Sequence, residues 1–288
     1  MCDKNNDKAE NTKILRKDIK QLTEQYYTKE AIVNKICDTL NEKLNISETD
    51  MIIEPSAGNG AFINKIKSLS ENYLFFDINP QHDEIQKQDF LQFNYLDTQL
   101  EYSNIHIVGN PPFGRLSSIA LKFIKHACAF CDSITFILPR SFKKDSWLRR
   151  FNRSFHLVHQ EDLPDNSFTF NNKDINIPCL FQIWERRNYE RDLPLKEIPF
   201  GYSFVPKTEK PDISLRRVGL HAGKITREID DKNTSSHLFV RFDKGNRRKI
   251  NKIVEKMNQI VYSKENTVGP RSVSKQEFIQ ALNNIIKN

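Results

Sequence analysis

Two short segments place hydrogen-bonding and acidic side chains where a ligand could be held. The first is Asn110-Pro111-Pro112-Phe113, directly behind the apolar run Ile105-His106-Ile107-Val108. Paired prolines fix φ and cannot continue a hydrogen-bonded ladder, so the chain must leave a sheet there in a rigid turn. Asn110 offers an amide oxygen and Pro111 a backbone carbonyl. Two acceptors aimed at one point suit an exocyclic amino group, which carries two N–H donors. Phe113 adds a flat apolar face on which a base could stack.

The second segment, Glu54-Pro55-Ser56-Ala57-Gly58-Asn59-Gly60-Ala61-Phe62, follows the apolar run Met51-Ile52-Ile53. Its glycines let the backbone approach a ligand closely. No Gly-Lys-Ser/Thr follows, which excludes a P-loop, and the third glycine of the dinucleotide fingerprint is absent. Glu54 places a carboxylate at a strand end, able to accept hydrogen bonds from a cationic ligand. Asp77 closes the next apolar run, Tyr73-Leu74-Phe75-Phe76, where a carboxylate can receive ribose hydroxyls.

The elements needed to position these groups are short strands alternating with helices. Thr28 reads as an N-cap, with Ile32, Ile36 and Leu40 keeping helical period behind it. The runs 51–53, 73–76, 105–108 and 134–138 read as buried strands, with further strands near 155–158 and 177–184. Helices are expected over 61–66 and 117–129. This alternation predicts an α/β fold with a mostly parallel sheet.

In this order the segments resemble the S-adenosylmethionine-dependent amino-methyltransferases, especially the adenine-N6 enzymes, over residues 21–186. The resemblance implies a Rossmann-like fold with a mostly parallel seven-stranded sheet, and S-adenosylmethionine as cofactor. Gln25-Tyr26-Tyr27-Thr28 is similar to the family's N-terminal cofactor-contacting motif. Glu54 to Phe62 resembles the methionine-binding loop, with Glu54, Pro55, Ala57, Gly58, Asn59 and Gly60 at the cofactor. Phe76-Asp77-Ile78 resembles the ribose-binding position, and Gln88-Asp89-Phe90 the segment that reads the cofactor's adenine, Asp89 on its amino group. Asn110 to Phe113 resembles the catalytic loop, with Asn110 also beside the cofactor. Ile137-Leu138-Pro139-Arg140-Ser141-Phe142 resembles a later strand-end motif. The implied catalysis is chiefly positioning: Asn110 and the Pro111 carbonyl hold the amino nitrogen in line with the methyl group, and no metal or covalent nucleophile is required. Phe168 is a second candidate stacking face, or else an apolar anchor for its loop.

Many DNA adenine enzymes carry Asp-Pro-Pro-Tyr, whereas Asn-Pro-Pro-Phe is shared with several RNA enzymes. Glu54-Pro55-Ser56-Ala57-Gly58 is nearer to the DNA enzymes. The expected activity is therefore methyl transfer to the N6 amino group of adenine in DNA. RNA is the rival acceptor; a protein glutamine amide and an inactive nucleic-acid-binding module are the alternatives from other classes.

The 288 residues include 44 Lys+Arg and 37 Asp+Glu, a formal net charge of +7. Hydrophobic residues at 38% suffice for a core in a chain of this size. No apolar run approaches the length of a membrane span, and the N-terminus lacks an apolar signal core, so a soluble intracellular protein is expected. The charge is unevenly placed. Residues 191–288 hold 20 basic and 11 acidic side chains, a balance of +9, which leaves −2 for residues 1–190. Three segments are accordingly expected: a polar arm over 1–20, a catalytic domain over 21–190, and a basic nucleic-acid recognition segment over 191–288. Within the last, Arg216, Arg217, Lys224, Arg227, Arg241, Arg247, Arg248 and Lys249 are candidates for phosphate contacts. Strands are expected over 213–218 and 237–242, and helices over 249–261 and 274–286. The five cysteines are odd in number, and Cys128-x-x-Cys131 ends an apolar helical stretch, which favours buried thiols over a redox or zinc site. The histidines show no metal spacing, and no metal is expected.

Overall fold

The apolar runs pair into one central sheet. The computed structural model describes residues 26–95, 102–193, 195–262 and 271–288. The expected polar arm over 1–20, and Gln25 of the N-terminal motif, lie outside the described residues. The chain divides into two compact units, Met1–Leu193 and Pro194–Asn288.

In the first unit the elements in chain order are β1 (Tyr27–Thr28), α1 (Glu30–Leu44), β2 (Met51–Glu54), α2 (Ile63–Lys67), β3 (Asn72–Asp77), β4 (Gln86–Lys87), β5 (Ile105–Gly109), α3 (Ser118–Ala127), β6 (Ser133–Pro139), α4 (Asp145–Leu148), β7 (Phe155–Asp162), β8 (Phe168–Phe170), β9 (Lys173–Ile175) and β10 (Cys179–Arg186). Seven strands form the main sheet in the order β4-β3-β2-β5-β6-β10-β7. The pairs among β4, β3, β2, β5 and β6 are parallel. Only β10 runs against its neighbours, inserted between β6 and β7. This is a Rossmann-like, mostly parallel seven-stranded sheet.

Both faces of the sheet are covered, and the strand period of two divides the side chains between them. Met51, Ile53, Ile107, Phe136 and Leu138 pack on one face with α3. Ile52, Val108 and Ile137 pack on the other with α1 and α2. Each such fully buried aliphatic side chain is worth about 2 kcal/mol in transfer free energy. Helix α1 starts one residue later than expected. Its N-cap is Lys29, whose side chain makes no capping hydrogen bond. Thr28 belongs instead to β1, which pairs with β8 in a small sheet of three strands. Phe168 lies opposite Thr28 in that register and is 1% exposed. Its ring fills the core, so it cannot present a stacking face, and the loop-anchor alternative holds.

At the amino ends of the strands a buried polar cluster ties three segments together. His106 Nδ1 lies 2.7 Å from Ser133 Oγ, and His106 Nε2 lies 3.3 Å from Asp50 Oδ2. Asp50 also accepts from the Ser47 backbone N–H and from Asn104. Burial lowers the His106 pKa, outweighing the pull of Asp50, so the neutral imidazole donates to Asp50 and accepts from Ser133. The Ser133 hydroxyl is sealed from solvent, which leaves the cluster a structural role. Asp50→Ala would strand the His106 N–H in the interior and free the Ser47 amide and Asn104; a loss of about 2–4 kcal/mol is expected in urea unfolding.

The second unit has β11 (Tyr202–Phe204), β12 (Ile213–Arg216), β13 (Ile225–Thr226), β14 (His237–Phe242), α5 (Lys244–Arg247), α6 (Ile250–Asn258) and α7 (Lys275–Lys287). Its four strands form an antiparallel sheet in the order β11-β14-β12-β13. Ile213, Leu215, Val240, Ile253, Met257, Phe278 and Leu282 make its core. Helix α7 opens on a capping box: Ser274 accepts from the Glu277 amide, and the Glu277 carboxylate accepts from that of Ser274.

Candidate active site

The strand order itself locates the site. From β2 the chain moves outward through β3 to β4, then returns to β5 on the other side of β2 and continues to β6. The order reverses between β2 and β5, and in open α/β sheets ligands bind in the crevice beyond the carboxyl ends at such a switch point. The segment Glu54–Gly60 leaves β2 there, and Asn110–Phe113 leaves β5 there.

Hydrogen bonds draw the two segments, and β1, together. Asn110 Nδ2 donates to the Tyr26 carbonyl and to Thr28 Oγ1, each at 3.4 Å, across more than 80 residues of sequence. Ser56 Oγ donates to the Asn110 carbonyl at 3.1 Å. With its N–H groups directed at β1, Asn110 keeps Oδ1 as an acceptor. Pro111 is buried, while Asn110, Pro112 and Phe113 are half-buried. Phe113 packs against the cores on both faces of the sheet, which fixes its ring at the sheet's carboxyl edge.

The loop after β2 is held from the next strand. Asp77 Oδ2 accepts from the Gly58 amide at 2.8 Å, and Asp77 Oδ1 accepts from the Asn79 amide at 2.8 Å. Each carboxylate oxygen retains a lone pair for a further donor. Ala57 N donates to the Phe76 carbonyl on β3, and Gly60 N to that of Ala57, so the turn is tied to the next strand and closed on itself. Tyr27 Oη donates to Gln81 Oε1 at 2.6 Å, and Gln81 N donates to the Gly58 carbonyl. Asn59 is exposed, Pro55 and Ala57 are buried, and Ile78 presents an apolar side chain that is 63% exposed.

Glu54 is the electrostatic centre of the crevice. It is 2% exposed, and its Oε2 has no hydrogen-bond partner among the described residues. Burial, reinforced by the Asp77 charge, raises its carboxyl pKa well above the ordinary value. Gly109 lets β5 pass this side chain: a Cβ there would stand 3.2 Å from Glu54 Cγ, at a φ of +151°. A buried carboxyl without a hydrogen-bond partner for Oε2 among the described residues, at the switch point of the sheet, suits a cationic ligand group.

Some expected site residues stand apart from this constellation. Asp89 is exposed and caps a short turn, its Oδ1 accepting from the Leu91 amide at 2.9 Å. The Phe90 ring is 1% exposed, edge-on to His126 at 4.9 Å, so it serves the core and leaves only backbone groups for a ligand. Arg140, behind β6, donates to the Leu163 carbonyl at 3.3 Å and so braces the loop after β7. Ser56, Gln81 and Gly109 were not among the expected site residues. Ser56 lies inside the quoted loop motif, but no spacing rule connects Gln81 or Gly109 to it. Cys128 and Cys131 are both buried; burial pushes the Cys128 thiol up to about 11 and that of Cys131 well above its ordinary value, so neither is a ready nucleophile. Among the described residues no group of three or more His, Cys, Asp and Glu could hold a metal ion, and no helix is long and apolar enough to cross a membrane.

In the second unit the expected basic residues fall at two ends of the sheet. Antiparallel pairing sets Arg216 opposite His237 and Ile213 opposite Val240. Arg216, Arg217 and Lys224 therefore share one end, and Arg241, Arg247, Arg248 and Lys249 the other. Arg241 pairs with Glu209 at 3.5 Å and Arg247 with Asp212 at 3.0 Å, and Arg227 donates to Asn251. Arg217, Lys224, Arg248 and Lys249 are exposed.

No protein-family model and no curated protein matches the chain. Similar solved structures include a protein of Pyrococcus horikoshii assigned as an RNA methyltransferase, at 16% identity, TM-score 0.45, over 57% of this chain and 88% of that one. The methyltransferase subunit of a type I restriction-modification system from Streptococcus thermophilus is similar at 12% identity, TM-score 0.43, over 82% of this chain and 54% of that one. An N-methyltransferase from Bradyrhizobium japonicum in complex with S-adenosyl-L-homocysteine is similar at 14% identity, TM-score 0.36, over 53% and 85%. These identities and scores are low, so the fold is assigned from the strand order and directions of the chain itself.

Proposed function

We propose that this chain is an S-adenosylmethionine-dependent methyltransferase acting on the N6 amino group of adenine in DNA. The observation that carries the proposal is the meeting of Asn110 with Tyr26, Thr28 and Ser56 at the switch point, beside the unpartnered Glu54. The cofactor would supply a methyl group already activated on a sulfonium. Glu54 would face its cationic end, the Gly58–Gly60 turn its amino-acid part, Asp77 its ribose hydroxyls and Asp89 its adenine. Tyr26, Tyr27 and Thr28 would close over it from β1, with Ile78 and the Phe90 backbone at its rim. Asn110 Oδ1 and the Pro111 carbonyl would accept from the target amino group, orienting its nitrogen, and Phe113 would stack on the ring. Incubation with labelled cofactor and DNA, RNA or protein, followed by digestion, tests this directly. N6-methyladenine from the DNA arm is expected. Label confined to RNA, or to protein glutamine, would overturn the assignment.

The second unit would supply the phosphate contacts for target recognition. Replacing Arg217, Lys224, Arg248 and Lys249 together by alanine is expected to lower the slope of log affinity for DNA against log salt by about 3–4, near 0.9 per lost contact, with cofactor affinity unchanged. A fluorescence-anisotropy salt titration reads the slope, and calorimetry reads the cofactor.

A further inference from the structure

The chain beyond Phe113 is strained in a particular way. Gly114, Leu116 and Ser117 all have positive φ, at 67°, 52° and 56°. Glycine adopts this region freely; leucine and serine do so against the repulsion of their own Cβ. The turn is nonetheless fixed. The amides of Ile119 and Ala120 donate to the Phe113 carbonyl, and that of Ser117 to the Gly114 carbonyl. Ile119 packs so closely that a Cβ on Gly114 would meet its Cγ1 at 2.5 Å. Helix α3, which begins at Ser118, is anchored through buried Ala120, Phe123, Ile124 and Ala127.

This rigid turn presents Leu116, which is 82% exposed, between the exposed Arg115 and Ser118. A large apolar side chain displayed on strained, well-anchored backbone calls for a partner, since strain persists where the surroundings over-determine it and clusters at functional sites. Leu116 lies three residues past Phe113, within about 10 Å along even an extended chain. An apolar side chain entering a base stack at that distance from the reacting base would lower the penalty for withdrawing the base from the duplex.

We propose that Leu116 is a positioning residue that enters duplex DNA and occupies the space vacated by the target adenine, while Arg115 steadies the neighbouring phosphate. The proposal rests on the DNA adenine reading above. The test uses the full chain and a duplex carrying a site mapped by the wild-type protein. In one duplex the target adenine faces thymine; in the other it faces an abasic site, where no pairing opposes its withdrawal. Leu116→Ala is expected to slow methylation of the paired duplex by on the order of tenfold or more and to leave the abasic duplex within about twofold. Leu116→Met should restore the paired duplex, and calorimetry should give unchanged cofactor affinity. Equal slowing on both duplexes, or none on either, would overturn the wedge while the adenine chemistry stood. Wild-type activity confined to single-stranded nucleic acid would also overturn it. Failure of the wild-type protein to methylate any nucleic acid would remove both proposals.

Discussion

Asn110→Ala is expected to lower methyl transfer by about a thousandfold or more while leaving the fold intact. The side chain is proposed to do two things at once. Its Nδ2 spans 3.4 Å to both the Tyr26 carbonyl and Thr28 Oγ1, which would leave Oδ1 for the target amino group. Alanine removes the acceptor and the tie to β1 together. The tie itself is long and half-exposed, so its loss should cost less than about 1 kcal/mol of stability. Thermal unfolding should therefore change little while labelled methyl transfer disappears. Asn110→Asp separates the two duties. It keeps an acceptor but loses both donors and faces the Tyr26 carbonyl with a negative charge, so activity between that of the wild type and alanine is expected. Retention of full transfer in the alanine variant would remove Asn110 from the reaction.

Glu54→Gln should move stability and cofactor affinity in opposite directions. In the fold the Glu54 carboxyl is raised well above its ordinary pKa by burial and by Asp77. The folded chain thus holds a proton that the unfolded chain releases. Stability associated with this group is full below the unfolded carboxyl pKa and is lost as pH rises through the folded value. Glutamine cannot ionise and escapes that loss, so the variant should melt higher than the wild type at pH 8, with the gap closing toward pH 4. A cationic ligand, by contrast, draws the proton off Glu54. Cofactor affinity should rise with pH in the wild type, with proton release visible as a buffer-dependent enthalpy. In Glu54→Gln both signatures should vanish, with binding weaker by about a hundredfold. A variant that binds normally and still releases a proton would show that another group faces the cofactor.

Part of the site was legible because local chemistry leaves local marks. The turn residues of Glu54–Gly60 and Asn110–Phe113 stop their strands wherever those strands sit, so the two strand ends could be read from spacing alone. The same holds for His237–Phe242, where the expected and observed strands coincide. Boundaries that depend on distant partners were less visible. Thr28 resembles a helix cap in isolation, but pairing with Phe168 makes it a strand residue and moves the cap to Lys29. The same pairing buries Phe168.

Spacing and composition alone mark where β2 and β5 end, which runs can be buried on both faces, and that positive charge gathers after residue 190. Those properties are local or additive. Which of these residues meet is set by the folded chain. The reversal of strand order between β2 and β5 brings Asn110 against Tyr26, Thr28 and Ser56, and seals Glu54 beside Gly109 with no partner for its Oε2 among the described residues. The second unit's own sheet sorts the basic residues, tying Arg241 and Arg247 to Glu209 and Asp212 and leaving Arg217, Lys224, Arg248 and Lys249 exposed. The physical reason is common to both. Desolvation and hydrogen bonding depend on distances across the fold, and residues 32 to 84 positions apart acquire a fixed distance only when their sheets form.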